Sequence, residues 1–504
     1  MGIPSYFRRI LQKYPGCLTR KIESLEGSIL CFDFNCLIYR CLYSKTLRPY
    51  PVEDEEDQNR WEGELLDEIV KITKEVWIEA GRPERVYIAV DGVVPMAKVR
   101  QQRVRRFKSV WLKSRASKPE SWDTNSITPG TEFMERLGRK LDRMCKERKG
   151  WSLSGVRESG EGEHKILQWL RSQPLTQIQS KRIIIYGLDA DLILLSMLLS
   201  EELNSNINLM RETQEFEKTS ESGYTFLQIN EFKEKCNIKC YNDVINYIGL
   251  MSLMGNDFLP HSLTHKLNDD GYNYILQEYE SMKKTNRFLI IGGKMQEGVF
   301  REITNRWSAQ EESKMQKMID KKIDQSKRGV LDGMSVEEGY PLQWMEERCM
   351  INSENKLIES WREEYWKKIH PVADEDTRVH LCKEYRRGFQ WIIDYYTGKE
   401  VDIEWMYPAW MPPLWSELGK GVHMEEIKQD KKEWYSAEEQ LVMVLPLESW
   451  GLVRAKEYRN IPSLAPQYWP KEFSYFSFGR KWLWECEALI PVLTNKKLRG
   501  IKGN

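Results

Sequence analysis

Three short apolar runs, SILCF, VYIAV and RIIIYGL, each lead into an acidic residue, and that coupling limits what this 504-residue chain can fold into. Runs this short and this rich in Ile, Val, Tyr and Phe read as buried parallel strands. The acids after them are Asp33, Asp91, Asp189 and Asp191; Glu161 and Glu163 lie in SGEGEHK, and Asp257 in MGNDFLP. In an open α/β sheet the carboxyl ends of the strands converge on one crevice, so acids far apart in sequence meet there. A lone strand-end Asp more often caps the next helix or ties down a turn. Two pairs spaced i, i+2 change that balance. An extended backbone in GLDADL points Asp189 and Asp191 to one side, with Ala190 facing away. In GEGEH the glycines let the chain bend closely around an ion, with Glu161 and Glu163 facing together. Clustered carboxylates repel one another unless a counter-charge is present. Mg²⁺ or Mn²⁺, hard cations that prefer oxygen ligands, supply it and act as a Lewis acid in phosphoryl chemistry.

A second pattern lies beside the first. From Lys98 to Lys118 the chain carries nine Lys or Arg and no acid, starting seven residues after Asp91. Such a run is commonly a solvated helix face. Here Lys98, Gln102, Arg105 and Arg106 fall at i, i+4, i+7 and i+8, on one side of a helix whose first turn adjoins the acids. Guanidinium forks and a helix N-terminus suit a phosphate monoester. With 76 basic and 76 acidic residues overall, any polyanion site has to be a local patch of this kind.

Other features exclude whole classes. Ten cysteines, none in a CxxC pair, and six histidines form no disulfide framework or zinc module, so reduced thiols and an intracellular protein are expected, cytoplasmic in preference to nuclear. No run approaches the roughly 20 apolar residues of a membrane span, and MGIPSYFRRILQKYP lacks an apolar signal core. Gly2 superficially suits myristoylation, but Tyr6 stands where Ser or Thr is preferred.

Residues 1–300 read as an α/β domain. EFMERLGRKLDRMCKERKG is an amphipathic helix on Phe133, Leu137, Leu141 and Met144, stopping by Gly150. Ser200 to about Ser222 reads as a loop or frayed helix, and residues 301–337 as a charged, exposed helical connector. Residues 338–504 form a second region rich in Trp and Tyr, mostly an aromatic core from which a few rings could stack on bases.

The segments MGIPSYFRRILQKYP, DGVVPMAKVRQQRVRRF, SITPGTEFM, GEGEHKI, YGLDADLI and GNDFLPH, followed by GFQWIIDYYTG, WMYPAW, EQLVMVLP and WPKEFSYFSFGRKWLWECEALIP, together resemble the XRN family of 5′→3′ exoribonucleases. The resemblance covers most of the chain. It implies a PIN/FEN-like, mostly parallel sheet flanked by helices, with the helical second region packed around the active site. It carries the family's metal-binding acids onto Asp33, Asp91, Glu161, Glu163, Asp189, Asp191 and Asp257, holding two Mg²⁺ ions roughly 4 Å apart, with Mn²⁺ as a substitute. The pocket for a 5′-monophosphate maps to Lys98, Gln102, Arg105 and Arg106. Base stacking maps to Trp484 and to Tyr39, where the family carries a histidine. Ala409 and Trp410 replace a histidine and a tyrosine, and the chain stops soon after Pro491, short of the bracing domains of cytoplasmic members.

The implied reaction is processive hydrolysis of single-stranded RNA from a 5′-monophosphate end to nucleoside 5′-monophosphates, with a protein partner in place of the bracing domains. His164 and His261 are expected to be structural. The rival readings are a flap-type structure-specific endonuclease and an RNA-binding scaffold that does not cut.

Overall fold

The protein is described here in a computed structural model, covering residues 6–22, 27–115, 121–213, 223–327, 336–372, 374–420 and 433–503. Gly2 and its neighbours lie outside the described residues.

Seven strands form one sheet: β1 (Leu18–Thr19), β2 (Ile29–Asp33), β3 (Arg85–Ala89), β4 (Trp151–Ser154), β5 (Arg182–Tyr186), β6 (Asn206–Glu212) and β7 (Tyr224–Gln228), in the order β1-β7-β6-β5-β2-β3-β4. β6, β5, β2, β3 and β4 run parallel; β7 runs antiparallel to β6, and the edge strand β1 antiparallel to β7. The three runs anticipated as strands are β2, β3 and β5 at the centre of the sheet. Alternation along β2 sends Leu30 and Phe32 to one face and Ile29 and Cys31 to the other. Leu30 and Phe32 pack under the helices Glu55–Glu79 and Glu132–Lys146. The helix Glu132–Lys146 buries the predicted Phe133, Leu137, Leu141 and Met144. Ile29 and Cys31 pack under the helices Gly162–Ser172, Asp191–Leu203 and Tyr241–Ser252.

Two expectations need correction. The stretch from Ser200 contains β6, whose Ile207, Leu209 and Met210 are buried; its polar flanks hid a short strand. Residues 214–222 of that stretch lie outside the described residues. The charged segment after residue 300 is helical, but it is no exposed connector. Helices Glu297–Ser308 and Glu311–Lys327 bury Phe300, Ile303, Trp307, Met315, Met318 and Ile319, at helical spacing beneath a charged outer face. Lys322 meets Glu347 at 2.9 Å with both side chains fully buried, and Glu347 also accepts from the Gly479 amide. That contact ties the segment to the loop leading to Trp484.

The second region is an aromatic core, as expected: Trp361, Trp366 and Trp415 are buried, while Trp484 is 71% exposed. It also packs on the basic helix Met96–Arg115. Val99, Val104 and Phe107 join Leu441, Val444, Trp469 and Ile490 in one apolar cluster.

Candidate active site

Asp33 closes β2 opposite Ala89 of β3, and the next amide, Phe34, donates to the Ala89 carbonyl at 3.0 Å. Asp91 follows two residues after β3. Its Oδ1 accepts the Gly162 amide at 2.7 Å, and its own amide donates to Asn35 Oδ1 at 3.2 Å. The helix Gly162–Ser172 therefore starts against Asp91. Its cap residue Glu161 is extended and Glu163 lies in the first turn. Asp191 opens the helix Asp191–Leu203, with Ala190 already in the right-handed helical region. The extended alternation expected of GLDADL is thus replaced by a helix start, yet the acids still converge. Ligand atoms of Glu163, Asp189 and Asp191 lie within 4.8 Å of one another, as do those of Glu161, Glu163 and His164.

Asp257 enters from the loop after the helix Tyr241–Ser252 and is joined to the others by a lysine. Lys98 Nζ lies 2.8 Å from Glu161 Oε1 and 2.7 Å from Asp257 Oδ2. All seven predicted acids therefore belong to one crevice at the carboxyl edge of the sheet.

Charge is in surplus there. Burial, then the charges of Asp91, Asp189, Asp191 and Glu161, hold the Asp33 carboxyl well above the usual range. Burial and Asp191 do the same to Glu163. Asp191 is pushed up to about 7 by burial and Asp189. Asp91 and Glu161 are raised by burial, against the pull of the Gly162 amide and Lys98 on Asp91 and of Lys98 on Glu161. At Asp257 burial is outweighed by Lys98, and the carboxyl is lowered. Asp191 Oδ1 is buried with no partner. An all-oxygen set with excess negative charge and an orphaned carboxylate oxygen fits a hard divalent cation, which Glu161, Glu163, Asp189 and Asp191 would hold. His164 is buried beside them. Its ring centre lies 3.7 Å from that of Tyr395, and burial and Lys98 pull its pKa down to about 3, so it is neutral.

The four predicted phosphate-reading residues lie on the helix Met96–Arg115, but in different settings. Lys98 is engaged with the acids. Arg105 is exposed, and Gln102 is buried with Oε1 unpartnered. Arg106 is buried and donates to Thr128 Oγ1; burial draws its pKa down to about 10 while the nearby Tyr39 phenol opposes. Other members of the basic run are structural. Arg103 is 1% exposed and donates to the carbonyls of Met443, Pro491 and Tyr468. Lys108 donates to the carbonyls of Trp484 (3.0 Å) and Cys486 (2.5 Å), holding the Trp484 loop on the helix. Tyr39 sits part-buried on the helix Asn35–Leu42, and among the described residues no ring contact joins it to Trp484.

Several participants escaped the sequence reading. Gln101, not Gln102, donates to Asp257 Oδ1 at 2.7 Å. Asn35 orients the Asp91 backbone. Tyr395, from the second region, donates to Glu161 Oε2 at 3.2 Å. Asn35 and Tyr395 lie inside FDFNCLIYR and GFQWIIDYYTG, but nothing local distinguishes a tyrosine aimed at a carboxylate from one that fills a core.

The fold and site define an α/β protein with a buried acidic crevice that could hold a metal ion, flanked by a basic helix. Residues 1–213 match the family described as XRN 5′-3′ exonuclease N-terminus, and residues 342–501 match the Xrn1 helical domain. The chain belongs to the XRN 5′→3′ exonuclease family. Among curated relatives, 5′-3′ exoribonuclease 1 of Homo sapiens is 27% identical over 99% of this chain and 34% of its own length. The protein of the same name from Saccharomyces cerevisiae is 25% identical over 99% and 43%. 5′-3′ exoribonuclease 2 of Gallus gallus is 22% identical over 99% and 69%. The chain thus spans well under half the length of the first two. A crystal structure of the T5 D15 protein with metal ions covers 57% of this chain and 86% of its own at 12% identity, with a TM-score of 0.30, too loose a match to bear on the site.

Proposed function

We propose that this chain is a 5′→3′ exoribonuclease that hydrolyses single-stranded RNA bearing a 5′-monophosphate, one nucleotide at a time, to nucleoside 5′-monophosphates. The observation that carries the reading is the position of Lys98. It bonds to Glu161 and Asp257 in the acidic crevice, and Arg105 and Arg106 continue its helix face about two turns, ~10 Å, further on. A phosphate held by that face would lie one helix side away from the acids. Bound Mg²⁺ would supply a Lewis acid and neutralise the crevice. Glu161, Glu163, Asp189 and Asp191 would hold the cation; Asp33 and Asp91 lie beside them against Gly162; Tyr395 fixes Glu161. Arg105 and Arg106 read the terminal phosphate, and each cleavage would expose a new one to the same residues, which is the basis of processivity. Trp484, exposed and held by Lys108, offers a ring to the bases, each stack contributing about 1–3 kcal/mol with little sequence preference. All ten cysteines are free thiols, which suits a reducing compartment. Among the described residues no helix is long and apolar enough to cross a membrane.

The test compares end-labelled RNAs carrying a 5′-monophosphate, 5′-hydroxyl or 5′-triphosphate, each with Mg²⁺ or EDTA. Metal-dependent mononucleotide release from the monophosphate RNA alone is expected. Internal fragments from all three substrates would replace the reading with an endonuclease. RNA binding without products would replace it with a scaffold.

A further inference from the structure

Two consecutive tyrosines, Tyr395 and Tyr396, end the helix Glu375–Tyr396, and both are buried. Tyr395 has its partner in Glu161. Tyr396 is 1% exposed and its hydroxyl has none. Its backbone is held in place. Arg171, in the last turn of the helix that begins at Gly162, donates to the Tyr396 carbonyl at 3.2 Å and to Glu202 of the helix Asp191–Leu203 at 2.8 and 3.1 Å. One guanidinium thus fastens Tyr396 to the two helices whose first turns carry Glu163 and Asp191.

The surroundings of that hydroxyl are acidic. Burial, then the charges of Asp191, Glu163, Asp257 and Glu161, hold the phenol well above its ordinary range, so it stays a donor. A protonated phenol beside four carboxylates that bonds to none of them is separated from them by a gap. Two further buried atoms without partners lie close by, Asp191 Oδ1 and His164 Nε2. The His164 nitrogen stands 3.9 Å from Glu161 Oε2 and 3.9 Å from Glu163 Oε1, and the His164 and Tyr396 ring centres are 6.0 Å apart. Native interiors leave few such atoms unsatisfied, so three of them from three helices around one set of acids mark the place of a polar species. Tyr385, about three turns earlier on the same helix, also has a buried hydroxyl without a partner, but burial alone acts on its phenol.

We infer that Tyr396 is a positioning residue for the crevice cation: its hydroxyl holds a water of the ion's hydration shell, and His164 Nε2 is that shell's second partner. This rests on the reading of the crevice as a divalent-cation site. Mg²⁺ gives up water reluctantly, so it needs partners for the waters it keeps as well as for itself. Groups of this kind orient the ligands that touch the metal. The second region of the chain would thereby reach the ion through Tyr396 as well as through Tyr395.

Tyr396→Phe deletes one oxygen, and Tyr385→Phe deletes its counterpart away from the acids. The melting temperature of each full-length protein is followed in EDTA and against rising Mg²⁺, and kcat and KM for RNA are measured over the same Mg²⁺ range. Packing alone predicts that losing an unsatisfied hydroxyl leaves either variant at least as stable as wild type and alters nothing else. The expected result is a Tyr396→Phe protein as stable as wild type in EDTA that needs about 10-fold to 100-fold more Mg²⁺ for its melting shift and for half-maximal kcat, with KM for RNA unchanged. Tyr385→Phe should keep the wild-type Mg²⁺ dependence. Four outcomes would overturn the inference: wild-type Mg²⁺ dependence in Tyr396→Phe, an equal loss in Tyr385→Phe, marked instability of Tyr396→Phe already in EDTA, or no Mg²⁺-induced melting shift in wild type. A wild-type protein that shows the melting shift but cuts no RNA would sink the exoribonuclease reading alone, and the shift in Tyr396→Phe would still decide the role of the hydroxyl.

Discussion

Gly162 stands so close to Asp33 that a Cβ added to it would lie 2.6 Å from Asp33 Oδ1, and 3.0 Å from the Ala89 carbonyl. The glycine is needed for space, because its backbone lets a helix start between two strand-end carboxylates. Gly162→Ala should therefore displace Asp33 or the helix start. The expected outcome is a fall in RNA cleavage of at least 100-fold, with about 1–3 kcal/mol of destabilisation by urea unfolding. Wild-type cleavage would show that the crevice tolerates the displacement.

Asp191→Asn separates the role of a carboxylate from its cost. Asp191 is 1% exposed and shares its site with Glu163 and Asp189. Replacing the charge by an amide of the same shape should stabilise the metal-free protein by about 1–3 kcal/mol in EDTA at pH 8 while abolishing cleavage in Mg²⁺. A metal-induced rise in melting temperature, present in wild type and absent in the variant, is the independent readout.

Two arginines two residues apart should behave oppositely. Arg105→Ala, at an exposed position, is expected to leave stability within about 0.5 kcal/mol and to erase the preference for 5′-monophosphate over 5′-hydroxyl RNA. Arg103→Met removes the donor to three carbonyls and should destabilise by about 3–5 kcal/mol, with the end preference intact in whatever folds. Equal effects on end preference would mean that the helix acts only through its overall charge.

Acid should loosen the packing around His265. Its Nδ1 accepts from Trp415 Nε1 at 3.1 Å and its ring stacks on Trp307; burial and Lys314 hold its pKa down to about 3. A histidine depressed on folding gives stability that is fully present above about pH 6.5. That stability is lost as pH falls towards 3, because there the unfolded chain binds the proton first. At pH 5 the loss is about 2 kcal/mol. Urea midpoints at pH 7 and 5 should show it in wild type and not in His265→Gln; equal pH slopes would assign the acid sensitivity elsewhere.

The seven acids and the basic helix were legible because each depends on local signals: strands ending in carboxylates, and cations at helical spacing. What could not be read was which partner each side chain would choose. Lys98, expected beside phosphate, also lies between Glu161 and Asp257, since a lysine beside uncompensated buried carboxylates is drawn to them. Gln101 and Gln102 are neighbours on one helix, and only the position of the Asn256–His261 loop decides which of them meets Asp257. β6 was missed because its period-two pattern spans too few residues between polar flanks. The segment after residue 300 looked solvated because its charges outnumber the few large side chains that anchor it.

Arg103 gives the basic helix two allegiances. By chain order the helix belongs with the strands, starting five residues after Asp91. By hydrogen bonding and apolar contact it belongs with Met443, Tyr468 and Pro491, more than 300 residues later. A sequence boundary near residue 300 is therefore not a seam along which the molecule divides. The basic face is held by one half of the chain and the acids beside it by the other, so each half carries an unfinished instrument. A shift of the backbone at Met443, Tyr468 or Pro491 would be felt as a change in where the basic face sits relative to the crevice.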